Sequence, residues 1–175
     1  RARRGPARPR LGRVVSPVRS ADLVLAVSQQ STFSIAPYER FIERLTHIGG
    51  DQQREALDIA MRYLFGGRYT TLMGLAAENW DNKPALREGY RNQRETFLEA
   101  QQLGALLAGS IDHATATGKS YIIFGAAVIA LASGQVDRVL VLCPSNTIEA
   151  GLTAKFAELS GQKQLMDLLP EDAAV

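Results

Sequence analysis

Cysteine is nearly absent from this sequence, since Cys143 is the only one in 175 residues. A single thiol excludes an intramolecular disulfide and any zinc site built from several thiolates. Histidine is almost as rare, and His47 and His113 are not spaced as metal ligands. Because low cysteine usage fits a reducing compartment, we expect a cytoplasmic protein.

Long apolar runs are also missing. The longest extends from Tyr121 to Ala132, which is too short to span a bilayer and fits a buried helix better. The basic N-terminus is not followed directly by the apolar stretch of a secretory signal. We therefore expect no membrane partner, and the content of 46% hydrophobic and 22% charged residues is typical of a globular protein.

The net charge of +2 conceals an uneven distribution. Residues 1–13 contain six arginines and no acidic residue, which leaves about −4 for the remainder. A basic segment with proline and glycine predicts a disordered tail over residues 1–20. Such a tail either contacts nucleic-acid phosphates or carries no function, and composition does not separate the two.

The N-terminal half is predicted to be mainly helical. Residues 21–29 have the β-branched, apolar composition of a short strand. Helices are predicted over 38–48 and 52–65, the second with Asp51 as its N-cap. Residues 68–102 are polar and compatible with helix, apart from a break near Pro84.

The C-terminal half has a different pattern. Apolar runs over 105–112 and 137–143 predict two buried strands, and the segment between them, from Gly118 to Gly134, predicts an apolar helix. A further helix is predicted over 147–161. Strand, helix and strand in this order predict a parallel sheet, and hence an α/β fold class.

The triplet Gly118-Lys119-Ser120 stands where a phosphate-binding loop would be, between the first of these strands and the helix. A helix N-terminus carries a partial positive charge toward phosphate oxygens, while the lysine reaches the terminal phosphates and the serine hydroxyl can bind Mg²⁺. The usual pattern has glycine at the position of His113. The alternative is an ordinary turn that happens to contain lysine and serine.

The segment "ATATGKS", residues 114–120, resembles the variant loop of superfamily-two DEAD/DEAH-box helicases. The segment "DRVLVLCPSNTIEAGLTAKFAELSG" resembles motif Ia of the branch that includes the restriction (ATPase/translocase) subunit of type III restriction enzymes. "QQREALDIAMRYLFGGRY" resembles the N-terminal region of the same family, whose glutamine motif is matched by Gln53. The resemblance covers about residues 35–175.

This resemblance implies a partial RecA-like P-loop domain and an ATP-dependent DNA helicase or translocase, with ATP and Mg²⁺ as cofactors. It implies DNA as a partner, with a DNA methyltransferase subunit as a further candidate. Lys119 and Ser120 would be catalytic, Ser120 would bind Mg²⁺, and Gln53 would contact the adenine. The implied nucleotide-binding residues are Gln53, Ala114, Thr115, Ala116, Thr117, Gly118, Lys119 and Ser120, and the implied nucleic-acid contacts are Pro144, Ser145, Asn146 and Thr147. For the latter four, a plain helix-capping loop is the alternative.

The chain also departs from the family pattern. Ala116 replaces a glycine of the loop, and Gln52 stands where relatives usually have an aromatic residue. No Asp-Glu-Ala-His box follows an apolar strand, and the second motor domain with its arginine finger is missing. We therefore expect an N-terminal fragment that is inactive alone.

The predicted organisation is a basic tail (1–20), a mainly helical region with the glutamine motif (21–104), and the first part of the motor domain (105–175). Two other functions stay open, namely a degenerate non-catalytic binding module and a small P-loop NTPase of another class.

Overall fold

The structure is a computed structural model that describes residues 24–46, 50–112 and 117–173. These ranges are 57% helical and contain no β-strand. A 3₁₀ turn at Ala36–Tyr38 leads into the first α-helix. The α-helices of the described residues are α1 (Glu39–Leu45), α2 (Gly50–Phe65), α3 (Leu72–Asn82), α4 (Pro84–Gly89), α5 (Arg94–Glu99), α6 (Lys119–Ala132), α7 (Asn146–Ser160) and α8 (Lys163–Met166).

Helices α2 and α6 pack side by side and run in the same direction. At one end, Gln53 near the start of α2 bonds to Thr117, two residues before α6 begins. At the other end, Phe65 of α2 and Ala132 of α6 line the same cavity. These two helices therefore fix the position of the Gly-Lys-Ser segment relative to the N-terminal half of the chain.

Gly125 lies in the middle of α6 and packs closely against side chains of α1 and α2. A Cβ atom there would lie 2.8 Å from Cδ2 of Leu45 and 3.1 Å from Cδ1 of Leu57, so that no larger residue fits without a shift. The surrounding core joins both halves of the sequence. Its buried residues are Tyr38, Phe41, Ile42, Leu45, Ala56, Leu57, Met61, Ile122, Phe124, Val128, Ile129, Ala132, Leu159 and Leu165.

A second cluster is formed by α3, α4 and α5. The Trp80 and Phe97 rings stack with centroids 5.3 Å apart, and Ala76 and Leu86 complete the buried group. Trp80 is only 6% exposed. Trp80 and Phe97 therefore hold α3, α4 and α5 together by packing in this cluster.

The predicted strand over 21–29 is wrong for its described part, residues 24–29. The backbone N–H and carbonyl groups of Ala26 and Ser28 form hydrogen bonds with side chains and not with a neighbouring strand. The amide of Asn79 accepts from the N–H of Ala26 at 2.7 Å and donates to its carbonyl at 2.9 Å. Arg62 donates to the carbonyl of Ser28 at 2.6 Å, and Tyr69 accepts from its N–H at 3.1 Å.

The predicted α/β class, a RecA-like domain with a parallel sheet, is also wrong, because the described parts of 105–112 and 137–143 form no strands. The carbonyl of Leu106 accepts from the first residue of α3, and that of Ala108 accepts from the Tyr63 hydroxyl. In the second segment, Leu140 is 80% and Leu142 is 82% exposed. Both segments have the apolar composition of a strand, but among the described residues no strand lies beside either one to pair with it.

The helices agree better with the prediction. α6 begins directly after Gly118, and Gly134 follows it with a φ of +65°. α7 covers the predicted range and has Gly161 as its C-cap. α2 begins at Gly50, so Asp51 lies inside the helix and is not its N-cap. Residues 47–49 lie outside the described ranges.

Candidate functional site

The start of α6 has the backbone geometry of a tight loop that opens a helix. Gly118 is the N-cap residue, with φ +78° and ψ +34°, and no side chain caps the helix there. A left-handed conformation of this kind favours glycine. Lys119 and Ser120 follow in the first turn, the lysine exposed and the serine half-buried.

Gln53 lies directly against this loop. Its Nε2 atom donates to the carbonyl of Thr117 at 2.8 Å, and the residue is only 2% exposed. Its Oε1 atom is buried and has no hydrogen-bond partner in the described part of the chain. The predicted position of Gln53, facing the loop from the start of the second helix, is therefore confirmed.

Gly118 is required by its neighbours as well as by its backbone angle. A Cβ on this residue would lie 2.3 Å from Nε2 of Gln53 and 3.2 Å from Cδ2 of Tyr121. A side chain at this position would therefore displace the glutamine amide from the loop.

Three of the predicted nucleotide-binding residues, Ala114, Thr115 and Ala116, lie outside the described residues, as do His47 and His113. Of the five that remain, the structure brings Gln53 together with Thr117 and Gly118, and Lys119 and Ser120 follow in the first turn of α6.

Lys155 is a basic residue close to this site that the sequence reasoning did not find. Its Nζ atom lies 5.6 Å from the centroid of the Tyr121 ring and 2.7 Å from a carboxylate oxygen of Glu158. The hydrogen bond to Glu158 raises the pKa of Lys155. The only signal in the sequence was the lysine–glutamate spacing of three residues, which is common on exposed helix surfaces.

The predicted nucleic-acid contacts, Pro144 to Thr147, are exposed at the start of α7. The Ser145 hydroxyl accepts from the N–H of Ile148 at 3.4 Å and so caps the helix. This observation supports the capping alternative for Ser145 and leaves the role of the other three a prediction.

Metal binding would depend on few protein ligands. Residues 24–46, 50–112 and 117–173 contain no group of three or more histidine, cysteine or acidic side chains arranged to hold an ion. Ser120 supplies one hydroxyl oxygen at the predicted position. A Mg²⁺ ion bound to a nucleotide commonly takes most of its ligands from phosphates and water, so few protein ligands suffice for it. In the same ranges, no helix is both long and apolar enough to cross a membrane.

The model of one protein family, described as "Type III restriction enzyme, res subunit", matches residues 82–173. The chain belongs to this family. No curated protein and no solved structure matches the chain. The type III restriction enzyme res subunit family is part of helicase superfamily two, and its members are ATP-dependent enzymes of the helicase and restriction type that act on DNA.

The res subunit match includes the loop at Gly118 and all of α6 and α7, but it begins 29 positions after Gln53. Only the packing of α2 on α6 brings Gln53 to the matched region.

Proposed function

We propose that this chain is the ATP-binding part of an ATP-dependent DNA helicase or translocase of the restriction-enzyme type, which couples ATP hydrolysis to movement on DNA. The family membership supports the reaction class. The observation that carries the proposal is the contact between the buried Gln53 amide and the loop that opens α6.

The loop and Gln53 have complementary tasks in this proposal. The start of α6 after Gly118 would bring its N–H groups and partial positive charge to the phosphates, and the Lys119 ammonium would neutralise phosphate charge. Gly118 leaves space that a Cβ would fill. The Ser120 hydroxyl would hold Mg²⁺ together with phosphate oxygens.

Gln53 would contact the adenine. An amide nitrogen has two hydrogens, and only one is needed for the carbonyl of Thr117. The second N–H and the unpaired Oε1 offer one donor and one acceptor, which complement N7 and the N6 amino group of adenine. Adenine binding would thereby satisfy a buried acceptor.

Other parts of the chain would contact DNA and a partner subunit. Pro144, Asn146 and Thr147 are exposed and polar or short, which suits contacts to a nucleic-acid backbone. Residues 1–20 would be a basic tail, 21–104 the region that supplies Gln53, and 105–175 the region that supplies the loop. A DNA methyltransferase subunit is a further partner in this proposal.

We expect the 175-residue polypeptide to bind ATP weakly and not to turn it over measurably. It has no Asp-Glu-Ala-His box to hold Mg²⁺ and orient water. The proposal places the arginine finger, which alone is worth roughly 10³–10⁵ in rate, outside these 175 residues.

The test is a titration with a fluorescent ATP analogue and Mg²⁺. Lys119→Ala should abolish binding, because the charge that faces the phosphates is lost, and Ala116→Gly should tighten it by restoring the glycine of the family pattern. Lys163→Ala is the matched control, since it removes an exposed lysine at the start of the short helix α8.

If Lys119→Ala binds the analogue as well as the parent and Lys163→Ala do, the loop is not a nucleotide site. The degenerate binding module would then be the better description. Hydrolysis by the parent chain at rates typical of motors would show that a catalytic carboxylate was overlooked.

A further inference from the structure

A cavity of about 420 Å³ lies at the end of α6 that is remote from the phosphate loop. Its walls come from residues 32–34, Pro37, Tyr38, Phe65, residues 132–135 and Asp172. Since α6 has 14 residues and rises about 1.5 Å per residue, roughly 20 Å separate this cavity from Gly118. It is therefore distinct from the candidate nucleotide site.

Three aromatic residues, Phe33, Tyr38 and Phe65, are among those that line this cavity. The rings of Phe33 and Tyr38 are nearly parallel, with an interplanar angle of 7° and centroids 6.3 Å apart. The centroid of Phe65 lies 6.1 Å from that of Phe33. The faces of aromatic rings carry negative partial charge and attract cations within about 6 Å.

Other groups that line the cavity carry negative charge or partial negative charge. The C-terminal end of α6, at Ala132 and Ser133, carries the negative end of the helix dipole. The Asp172 carboxylate adds a full negative charge, and none of the described lining residues is basic. Burial is the largest cause of the raised pKa of Tyr38; a hydrogen bond with Ser133 lowers this pKa, and the negative charge of Asp172 raises it.

We propose that this cavity binds an organic cation, a guanidinium or alkylammonium group, between the half-buried ring of Phe33 and the carboxylate of Asp172. The volume lies within the range of about 300–1,000 Å³ that is usual for small-ligand sites, and is larger than a bare metal ion requires. The cation is either a free small molecule or the side chain of a basic protein segment, of which residues 1–13 with their six arginines are one example.

The test uses the full chain and two probes of similar shape, the cation methylguanidinium and the neutral methylurea, each followed by NMR titration. Methylguanidinium should bind saturably and methylurea should not. Asp172→Asn and Phe33→Leu should each weaken methylguanidinium binding by about two- to fivefold, because each removes one attractive contact at a partly exposed site. Asp167→Asn is the matched control, since it neutralises an exposed carboxylate outside the cavity, and it should bind as the parent does.

Equal binding of the two probes, or unchanged binding by Asp172→Asn, would overturn the proposal. Because Asp172 is exposed, this variant does not depend on the core for its folding, and helical circular dichroism checks that it folds.

A chain whose six N-terminal arginines are replaced by glutamine identifies the source of the cation. Tighter methylguanidinium binding by this variant would support occupation by the chain's own arginines, and unchanged binding would support a separate cation. Absence of saturable binding to both chains would contradict the site itself.

Discussion

Replacing Gly118 with alanine should destabilise the protein by about 2–5 kcal/mol, as the sum of two effects. Its φ of +78° lies in the left-handed region, where a residue with a Cβ loses about 1–2 kcal/mol. The new Cβ would also lie 2.3 Å from Nε2 of Gln53. Moving that buried amide breaks its bond to Thr117, and an unpaired buried donor costs about 1–3 kcal/mol.

Gly134 provides the matched control. Its φ is +65°, but a Cβ there would meet nothing within 4 Å. Gly134→Ala should therefore lose only the conformational part, about 1–2 kcal/mol. Urea unfolding followed by helical circular dichroism measures both variants, and equal losses would refute the claim that Gln53 presses against Gly118.

A double-mutant cycle isolates that contact. Gln53→Ala removes the group that the new Cβ would strike, so the losses from Gly118→Ala and Gln53→Ala should not add. We expect a coupling free energy of about 1 kcal/mol or more, within the range found for residues in contact. Additive losses would mean that the loop and α2 are energetically independent.

Two further predictions concern stability. Gly125→Ala should lower the free energy of unfolding in urea by about 1–3 kcal/mol, because the added methyl overlaps leucine side chains of α1 and α2. The control Gly151→Ala lies at an exposed helix position with open space and should stabilise the protein by about 0.5–1 kcal/mol. Equal effects of the two substitutions would contradict the tight packing of α2 on α6. Hydrogen bonds from Tyr69 and then Arg68 lower the pKa of Glu78. The stability that Glu78 contributes is therefore complete above the ordinary glutamate pKa of about 4.5 and is lost as the pH falls through the lowered value. Glu78→Gln should flatten that part of the stability curve, and an unchanged acid limb would contradict the contact.

Helices were predictable where residues typical of helix ends stand on both sides of an apolar pattern. The run after Gly118 contains the residues of a buried helix and ends at Gly134, so the range of α6 follows from short-range chemistry. Ser145 and Gly161 delimit α7 in the same way.

Strands were not predictable in this way. An apolar run such as 137–143 indicates a preference for extended and buried backbone, but a strand exists only where another strand accepts its hydrogen bonds. That partner is a property of the tertiary arrangement. In the described residues it is missing, and Leu140 and Leu142 are exposed.

The same distinction between local and tertiary information applies to the candidate site. The sequence by itself determined the chemistry of Gly118-Lys119-Ser120, because a glycine that opens a helix and the two residues after it act within one turn. It also pointed to Gln53 through the family resemblance. Only the tertiary structure decided that Gln53, 64 positions away, donates to Thr117, leaves Oε1 unpaired and requires a glycine at 118. It likewise brought Lys155 over Tyr121. The physical reason is that a turn depends on a few neighbouring backbone angles, whereas contacts between distant residues depend on how whole helices pack.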